Sequence, residues 1–382
     1  MKKNNSQLPW PPQTEEMEQA FAEIYSSGDW CKYTGDRVKR LEQEFPPSHD
    51  CRFGVSVCNG SVAIDIALKA VEVKPGDEVI LPAYDFYSLP KSVLNLGATP
   101  VFADVNPENF TIDKEEVKRK ITHRTKAIIG VHISGSVAEL DALVNIASQN
   151  DIHLIEDCAQ AHGAIYGGRK VGSWADLAIF SFGGVKLMTC GQGGMITTSD
   201  EEFYKRTYAI VNRGQLPDGK INPYGIIGEN FQLSEIQAAI VLPQISLLES
   251  YSRKREEAFG FLDQQLSKID GIEALSQFPK TQRRAHMRYS FCYKSPLSSR
   301  LPKQQLIRKL IVRGIPALPA GAYSSAPADQ RLQGVFAHQK DDFPHSRMAQ
   351  EEIVGIHHTF LLNQPQHLQN LVDLINDSLN IL

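Results

Sequence analysis

Between Gly54 and Ser199 the chain alternates short apolar runs with amphipathic stretches, and this alternation restricts its possible folds more than any other feature. The runs lie at 54–58, 78–83, 100–105, 126–133, 153–157, 176–182 and 194–199, most of them bounded by Gly, Pro or Asp. Runs of this length between such residues read as strands. Strands that are nearly all apolar are buried on both faces, and alternation with helices implies a mainly parallel sheet. Between them, Ser61–Val71 places Val62, Ile66 and Ala70 four residues apart, with Ile64, Ala67 and Leu68 widening the stripe into a helix face. Ser88–Leu96 and Glu139–Gln149 read as further helices. The last three runs crowd together without full helices between them, which admits an antiparallel strand there.

The rhythm changes on both sides. Residues 1–30 are Pro-rich and then helical over Glu15–Ser26, an arm packed on the body. After Asp200 come a helix (Glu201–Val211), a Gly/Pro/Asn loop (212–230) and a long helical pattern from Leu233 to Leu266, kinked at Pro243. Beyond it lie a strand (Arg288–Tyr293) and two helices (Lys303–Val312, Gln366–Leu379). The expected division is a large domain at 31–250 and a smaller α/β domain at 251–382.

Forty Lys and Arg against 44 Asp and Glu leave a net charge of −4, which excludes the basic footprint of a nucleic-acid-binding domain. No apolar run approaches the length of a membrane helix, and the opening MKKNNSQLPWPP lacks the apolar core of a secretory signal. The six cysteines include no C-x-x-C pair and read as reduced thiols in a cytoplasmic protein, with neither a disulfide framework nor a metal site.

Four segments carry candidate chemistry. In 176–200 a strand ends at Ser181 and is followed by Lys186 in an apolar, Gly-rich turn. Desolvation there lowers the amine pKa, which a Schiff-base lysine requires; the bland alternative is an exposed turn lysine. Asp157 closes a buried strand, at the sheet edge where ligands bind, and can pair with a protonated ring nitrogen; the alternative is a helix cap or loop ion pair. Gln160, three residues on, reaches the same face. Gly60 and Ser61 open a helix after an Asn-Gly turn, suited to a phosphate or to simple N-capping. Phe86 follows a strand and can stack on a flat ring, or serve as core. Together, a phosphate anchor, a ring stacker, a carboxylate and an imine-forming lysine meet the needs of pyridoxal phosphate.

On CNGSVAIDIAL, LPAYDF, IEDCAQAHGA, FSFGGVK with GQGGM, and GENFQLSEIQAA, the sequence resembles the DegT/DnrJ/StrS family of sugar and cyclitol aminotransferases, from about Gly28 to the C-terminus. The resemblance implies pyridoxal-phosphate fold type I, a mainly parallel seven-stranded sheet flanked by helices with a smaller C-terminal α/β domain. It implies an internal aldimine at Lys186, which also shuttles protons. By the same resemblance Asp157 holds the pyridine nitrogen protonated, Gln160 contacts the ring hydroxyl, Phe86 stacks, and Gly60, Ser61 and Ser181 bind phosphate. Asn230 matches a residue that reaches the neighbouring subunit's phosphate, implying a homodimer with shared sites. Gln232 stands where many members carry Arg or Lys, and Asp85 where Thr is common, both read as away from the core chemistry.

The implied reaction moves an amino group from glutamate or glutamine to a ketone on a sugar or cyclitol. The opening LPWPP, FSFGGVKLMTCGQGG and the pair His357-His358 look nearest to the branch of cyclitol aminotransferases and aminohydroxybenzoate synthase, which handles free carbocycles. Tyr33, Tyr323, His357 and His358 are assigned to the substrate side. Arg283, Arg284 and Arg288 read either as a diphosphate-binding patch or as a solvated loop. Two alternatives stay open: a dehydrating, aromatising enzyme like aminohydroxybenzoate synthase, and a non-catalytic binding or sensor protein on the same fold. Family dehydratases that carry histidine in place of the lysine are argued against by Lys186.

Overall fold

The structure is a computed structural model, which describes residues 10–294, 297–319, 324–325, 336 and 342–380. All seven apolar runs become strands of one sheet: β1 (Phe53–Val57), β2 (Glu78–Pro82), β3 (Thr99–Ala103), β4 (Thr125–Val131), β5 (His153–Asp157), β6 (Leu177–Ser181) and β7 (Gly194–Thr198). Their order is β1-β7-β6-β5-β4-β2-β3. The pairs β2·β3, β2·β4, β4·β5 and β5·β6 are parallel. Strand β7 runs antiparallel to both β6 and β1. No α-helix separates β6 from β7, so the chain turns back on itself instead of crossing over.

This topology decides where ligand-facing residues gather. The C-terminal ends of β1, β2, β5 and β6 and the N-terminal end of β7 all lie along one sheet edge. Val57 pairs with Gly194 and Gly194 with Ser181, so three strand ends are level there. Along each strand, period two sends alternate residues to opposite faces. Val79, Leu81, Ile129, Ile155 and Ile179 join the core under α3 (Gly60–Ala70), while Ile80, Ile128 and Leu154 join the core under α6 (Leu140–Gln149). Each such fully buried aliphatic side chain contributes about 1.5–3 kcal/mol.

The helix starts follow from their caps. Asn59 Oδ1 accepts the Val62 N–H at 2.9 Å and begins α3, and Asp200 caps α7 (Glu201–Val211). Two helices precede the sheet, α1 (Glu15–Ser27) and α2 (Arg37–Glu44), and α4 (Ser88–Asn95) and α5 (Lys114–Lys120) fall between α3 and α6. The start of α2 is capped from afar: Glu235, fully buried, accepts the N–H groups of Arg37 at 2.7 Å and Val38 at 3.1 Å. Gly35 is needed for that approach, since a Cβ there would come within 2.5 Å of the Glu235 carboxylate.

The long helical pattern is not one kinked helix but two, α8 (Glu235–Val241) and α9 (Gln244–Leu266), broken at Pro243. Proline lacks the N–H that would continue the ladder, and its ring crowds the carbonyl of Ala239. Along α9 the packing changes partners. Leu248 belongs to the core beside the first sheet, whereas Ala258, Phe259, Leu262 and Leu266 pack on a second sheet. That sheet is antiparallel and contains β8 (Ile272–Ala274), β9 (Arg288–Tyr293), β10 (Ala317–Pro319) and β11 (Ile353–His357) in the order β8-β9-β11-β10. Helices Lys303–Val312 and Pro365–Asn380 cover it.

Candidate active site

A cavity of about 330 Å³ opens at the sheet edge just described. Its walls carry Gly60, Ser61, Asp85, Phe86, Asp157, Gln160, Ser181 and Lys186 from the first sheet and its connections, and Met287 with Arg288 from the second.

One end is built by α3. Because Asn59 is the cap, Ser61 is not spent on capping, and the N–H groups of Gly60 and Ser61 at the positive end of the helix remain for an anion. Gly60 is required by close packing: a Cβ there would lie 2.8 Å from the Ser181 Cβ. Ser181, the last residue of β6, completes this cradle, its Oγ accepting the Gly183 N–H at 3.2 Å.

Asp157 ends β5 and is 6% exposed. One carboxylate oxygen accepts the Ala159 N–H at 2.9 Å. Burial pushes its pKa up, only partly offset by that bond and by the charge of Lys186. A further cation brought beside it, such as a protonated ring nitrogen, would favour its ionised form. Gln160 is 5% exposed, and its Oε1 has no hydrogen-bond partner. Phe86, 37% exposed, offers its ring to the same space.

Lys186 lies in the turn between β6 and β7. Desolvation lowers its pKa to about 8 against the support of Asp157 and Asp85, and Arg288 adds to the lowering. The turn is held by its own backbone and by the rest of the chain. Gly184, at φ +56°, donates to the Gly191 carbonyl at 2.8 Å. Gln244 of α9 binds Thr189 reciprocally, accepting its N–H at 3.0 Å and donating to its carbonyl at 2.8 Å. Trp10 Nε1 donates to the Lys186 carbonyl at 2.8 Å. His358 Nε2 donates to the Val185 carbonyl at 2.7 Å, while Arg255 donates to His358 Nδ1 at 3.0 Å.

His358 is thereby consumed: it is fully buried with both ring nitrogens engaged. Its assignment to substrate is corrected, and its role is to fix the lysine turn. His357 is 9% exposed, with Nδ1 on the Thr359 hydroxyl at 2.9 Å, and is likewise not on the cavity wall. Tyr33 is exposed, its hydroxyl accepting from Gln232 Nε2 at 3.0 Å, and stands outside its own chain's cavity. Asn230 is exposed as well, bridged to Asn212. Tyr323 lies outside the described residues.

Two cavity residues, Asp85 and Arg288, were named in the sequence analysis but not placed beside Lys186. Asp85 is 3% exposed, Oδ2 has no hydrogen-bond partner, and burial together with the charge of Asp157 raises its pKa well above the usual carboxyl value. It therefore lines the cavity itself. An acid directly after a buried strand, in LPAYDF, was the available signal. The basic cluster also divides. Arg283 is paired with Glu249 through both terminal nitrogens, and Arg284 with Glu256 and Asp263. Arg288 alone of the three lines the cavity.

Behind the site, His132, Glu156 and Cys158 lie close enough together to suggest a metal centre. Hydrogen bonds engage two of the three: His132 Nδ1 accepts from Ala138 N–H at 3.1 Å, and Glu156 is bound by His132, Gly172 and Trp174.

A family model described as the DegT/DnrJ/EryC1/StrS aminotransferase family matches residues 11–376. The chain is 30% identical over 378 residues to 3-amino-5-hydroxybenzoate synthase of Amycolatopsis mediterranei, covering 97% of this chain and 96% of that one. It is 35% identical over 298 residues to L-glutamine:scyllo-inosose aminotransferase of Streptomyces griseus, covering 73% and 69%. A crystal structure of 3-amino-5-hydroxybenzoic acid synthase superposes with a TM-score of 0.90 at 28% identity, covering 98% and 99% of the two chains.

Proposed function

Since the chain belongs to the DegT/DnrJ/EryC1/StrS aminotransferase family, we propose that it binds pyridoxal 5'-phosphate and transfers an amino group from glutamine or glutamate to a ketone on a sugar or cyclitol. The observation that carries this reading is the meeting, in one cavity, of a desolvated lysine, a buried carboxyl, and a free helix N-terminus.

The cavity residues fit the cofactor. Gly60, Ser61 and Ser181 would hold its phosphate, Phe86 would cover the ring, and the unpartnered Gln160 Oε1 would accept a hydrogen bond from it. When bound, pyridoxal phosphate draws electrons from the substrate carbon next to the nitrogen. Asp157 would keep a proton on the ring nitrogen, at the same time satisfying its own buried charge. Lys186 Nζ, with a pKa near 8, has enough free base near neutrality to form the link to the cofactor and to move a proton at the reacting carbon. Trp10 and His358 hold the backbone from which it does so.

The cyclitol side of the proposal is supported by the inosose aminotransferase relative, whose name also specifies glutamine as donor. Exposed Asn230, outside its own cavity, supports a homodimer with shared sites. Among the described residues no helix is long and apolar enough to cross a membrane, and all six cysteines are free, in keeping with a cytoplasmic protein. A second reading, dehydration and aromatisation after amino transfer, is favoured by the end-to-end match to 3-amino-5-hydroxybenzoate synthase.

The test is direct. Purified protein should be yellow, and borohydride reduction followed by peptide mass mapping should place pyridoxal phosphate on Lys186. Lys186→Ala should abolish amino transfer; retained turnover sinks the proposal. Product mass separates the two readings, because dehydration removes water that simple amino transfer keeps.

A further inference from the structure

Among the described residues, the cavity wall carries two cationic side chains, Lys186 and Arg288, and two acids, Asp85 and Asp157. On the reading above, Lys186 is committed to the cofactor and Asp157 to the ring nitrogen. Any amino-acid donor brings a carboxylate on the very carbon that bears its reacting amine, and the keto acid that leaves still carries it. That anion needs a partner near Lys186, and the phosphate already has its own cradle at the start of α3.

We propose that Arg288 is the anchor for the α-carboxylate of the amino donor. It stands at the first position of β9, paired in register with His357 of β11, and is 8% exposed. A guanidinium so placed is desolvated, which strengthens a carboxylate pair, and its planar fork matches the two oxygens. Its charge is felt at Lys186, so the two cations share one site. Arg288 comes from the second sheet and Lys186 from the first, so an amino-acid donor bridges both halves of the chain. A donor of this kind is selected by its carboxylate, while a sugar or cyclitol ring without a carboxylate is held by other contacts. This assignment rests on the aminotransferase reading.

The experiment uses wild type, Arg288→Gln and Arg288→Lys, each loaded with pyridoxal phosphate. Bleaching of the visible absorbance is followed with L-glutamine, L-glutamate and an aminocyclitol that has no carboxylate. Arg288→Gln should raise the half-saturating concentration of both amino acids by about 100-fold, the scale of losing one partner of a buried charge pair. The aminocyclitol should be affected at least tenfold less, roughly one decade in affinity being the margin required. Arg288→Lys should recover part of the loss, having charge without the fork. Glutarate, a carboxylate without an amine, should raise the melting temperature of loaded wild type and not of Arg288→Gln. Equal losses for all three amines overturn the proposal. So does a fall in pyridoxal phosphate affinity as large as the fall for glutamine, which would assign Arg288 to the phosphate. If wild type itself is bleached by no amine, the aminotransferase reading fails, and this inference fails with it.

Discussion

Glu156 and Asp157 are neighbours on β5, both acids and both buried, yet the strand turns them to opposite faces. Glu156 is saturated: it meets His132 Nε2 at 3.0 Å, Gly172 N–H at 2.7 Å and Trp174 N–H at 3.3 Å. Since the Ala138 N–H donates to His132 Nδ1, the ring's proton lies on Nε2 and points at Glu156. Asp157 has one backbone N–H and an open cavity. One residue apart, the same chemical group is bound into the fold in one case and faces an open cavity in the other. What separates them is not burial but how many donors the surrounding chain has already supplied.

The sharpest way to break this contrast is to remove both charges in turn. Asp157→Asn should lower kcat/KM for amino transfer by about 10²–10³-fold, as loss of a preorganised electrostatic partner does. Its melting temperature should stay near wild type, because no buried donor is stranded except the Ala159 N–H, which the amide oxygen can still accept. Glu156→Ala should do the reverse. It strands two backbone N–H groups and a histidine, costing about 3–5 kcal/mol in a urea titration. The fraction that folds should still bind pyridoxal phosphate. If Glu156→Ala is as stable as wild type, or Asp157→Asn as active, the distinction collapses.

A pH experiment sharpens it further. Lys186 has a folded pKa of about 8 against an ordinary value of 10.5, so between the two the unfolded chain binds more protons. Stability of the cofactor-free protein from this group therefore rises as pH climbs from about 8 to 10.5, and the burial penalty is fully present below 8. The rate at which cofactor-free protein captures pyridoxal phosphate should rise roughly tenfold per pH unit below about 8 and level off above it. Asp157 supports the Lys186 ammonium, so Asp157→Asn should move this midpoint to lower pH, while Glu156→Gln should leave it in place. The smallest effect is expected at the clamp on the lysine turn. Trp10→Phe removes one hydrogen bond, and should cost about 0.5–1.5 kcal/mol of stability by thermal unfolding.

The same logic of supplied partners explains what could be read from the chain in advance. The seven strands were legible because each is a short apolar run between breakers, and β7 could be suspected of running backwards from the missing crossover helix. Helix α2 was not legible: RVKRLEQE buries only Val38 and Leu41, and its cap, Glu235, lies far along the chain. Lys114–Lys120 was missed for a similar reason, with Val117 its one buried residue. In the second sheet β9 stood out, while β8 and β10, three residues each, carry too little pattern. At the cavity, Lys186, Asp157 and Gly60 were marked by their places at strand and helix ends. Asp85 and Arg288 were misjudged because sequence adjacency hid their surroundings: Arg288 was grouped with Arg283 and Arg284, whose carboxylate partners lie on α9. The His358 role depended on Arg255, a contact no local pattern reveals.

The clamp on Val185 and Lys186 has a consequence for how the protein comes into being. The seven strands and their helices are complete once residue 211 has been made, but the turn that carries the lysine still lacks its tie to His358. Trp10 precedes Lys186 by 176 residues, and His358 follows Val185 by 173. The lysine turn thus gains its last tie only when the strand before His358 has been made, long after the first sheet that carries it.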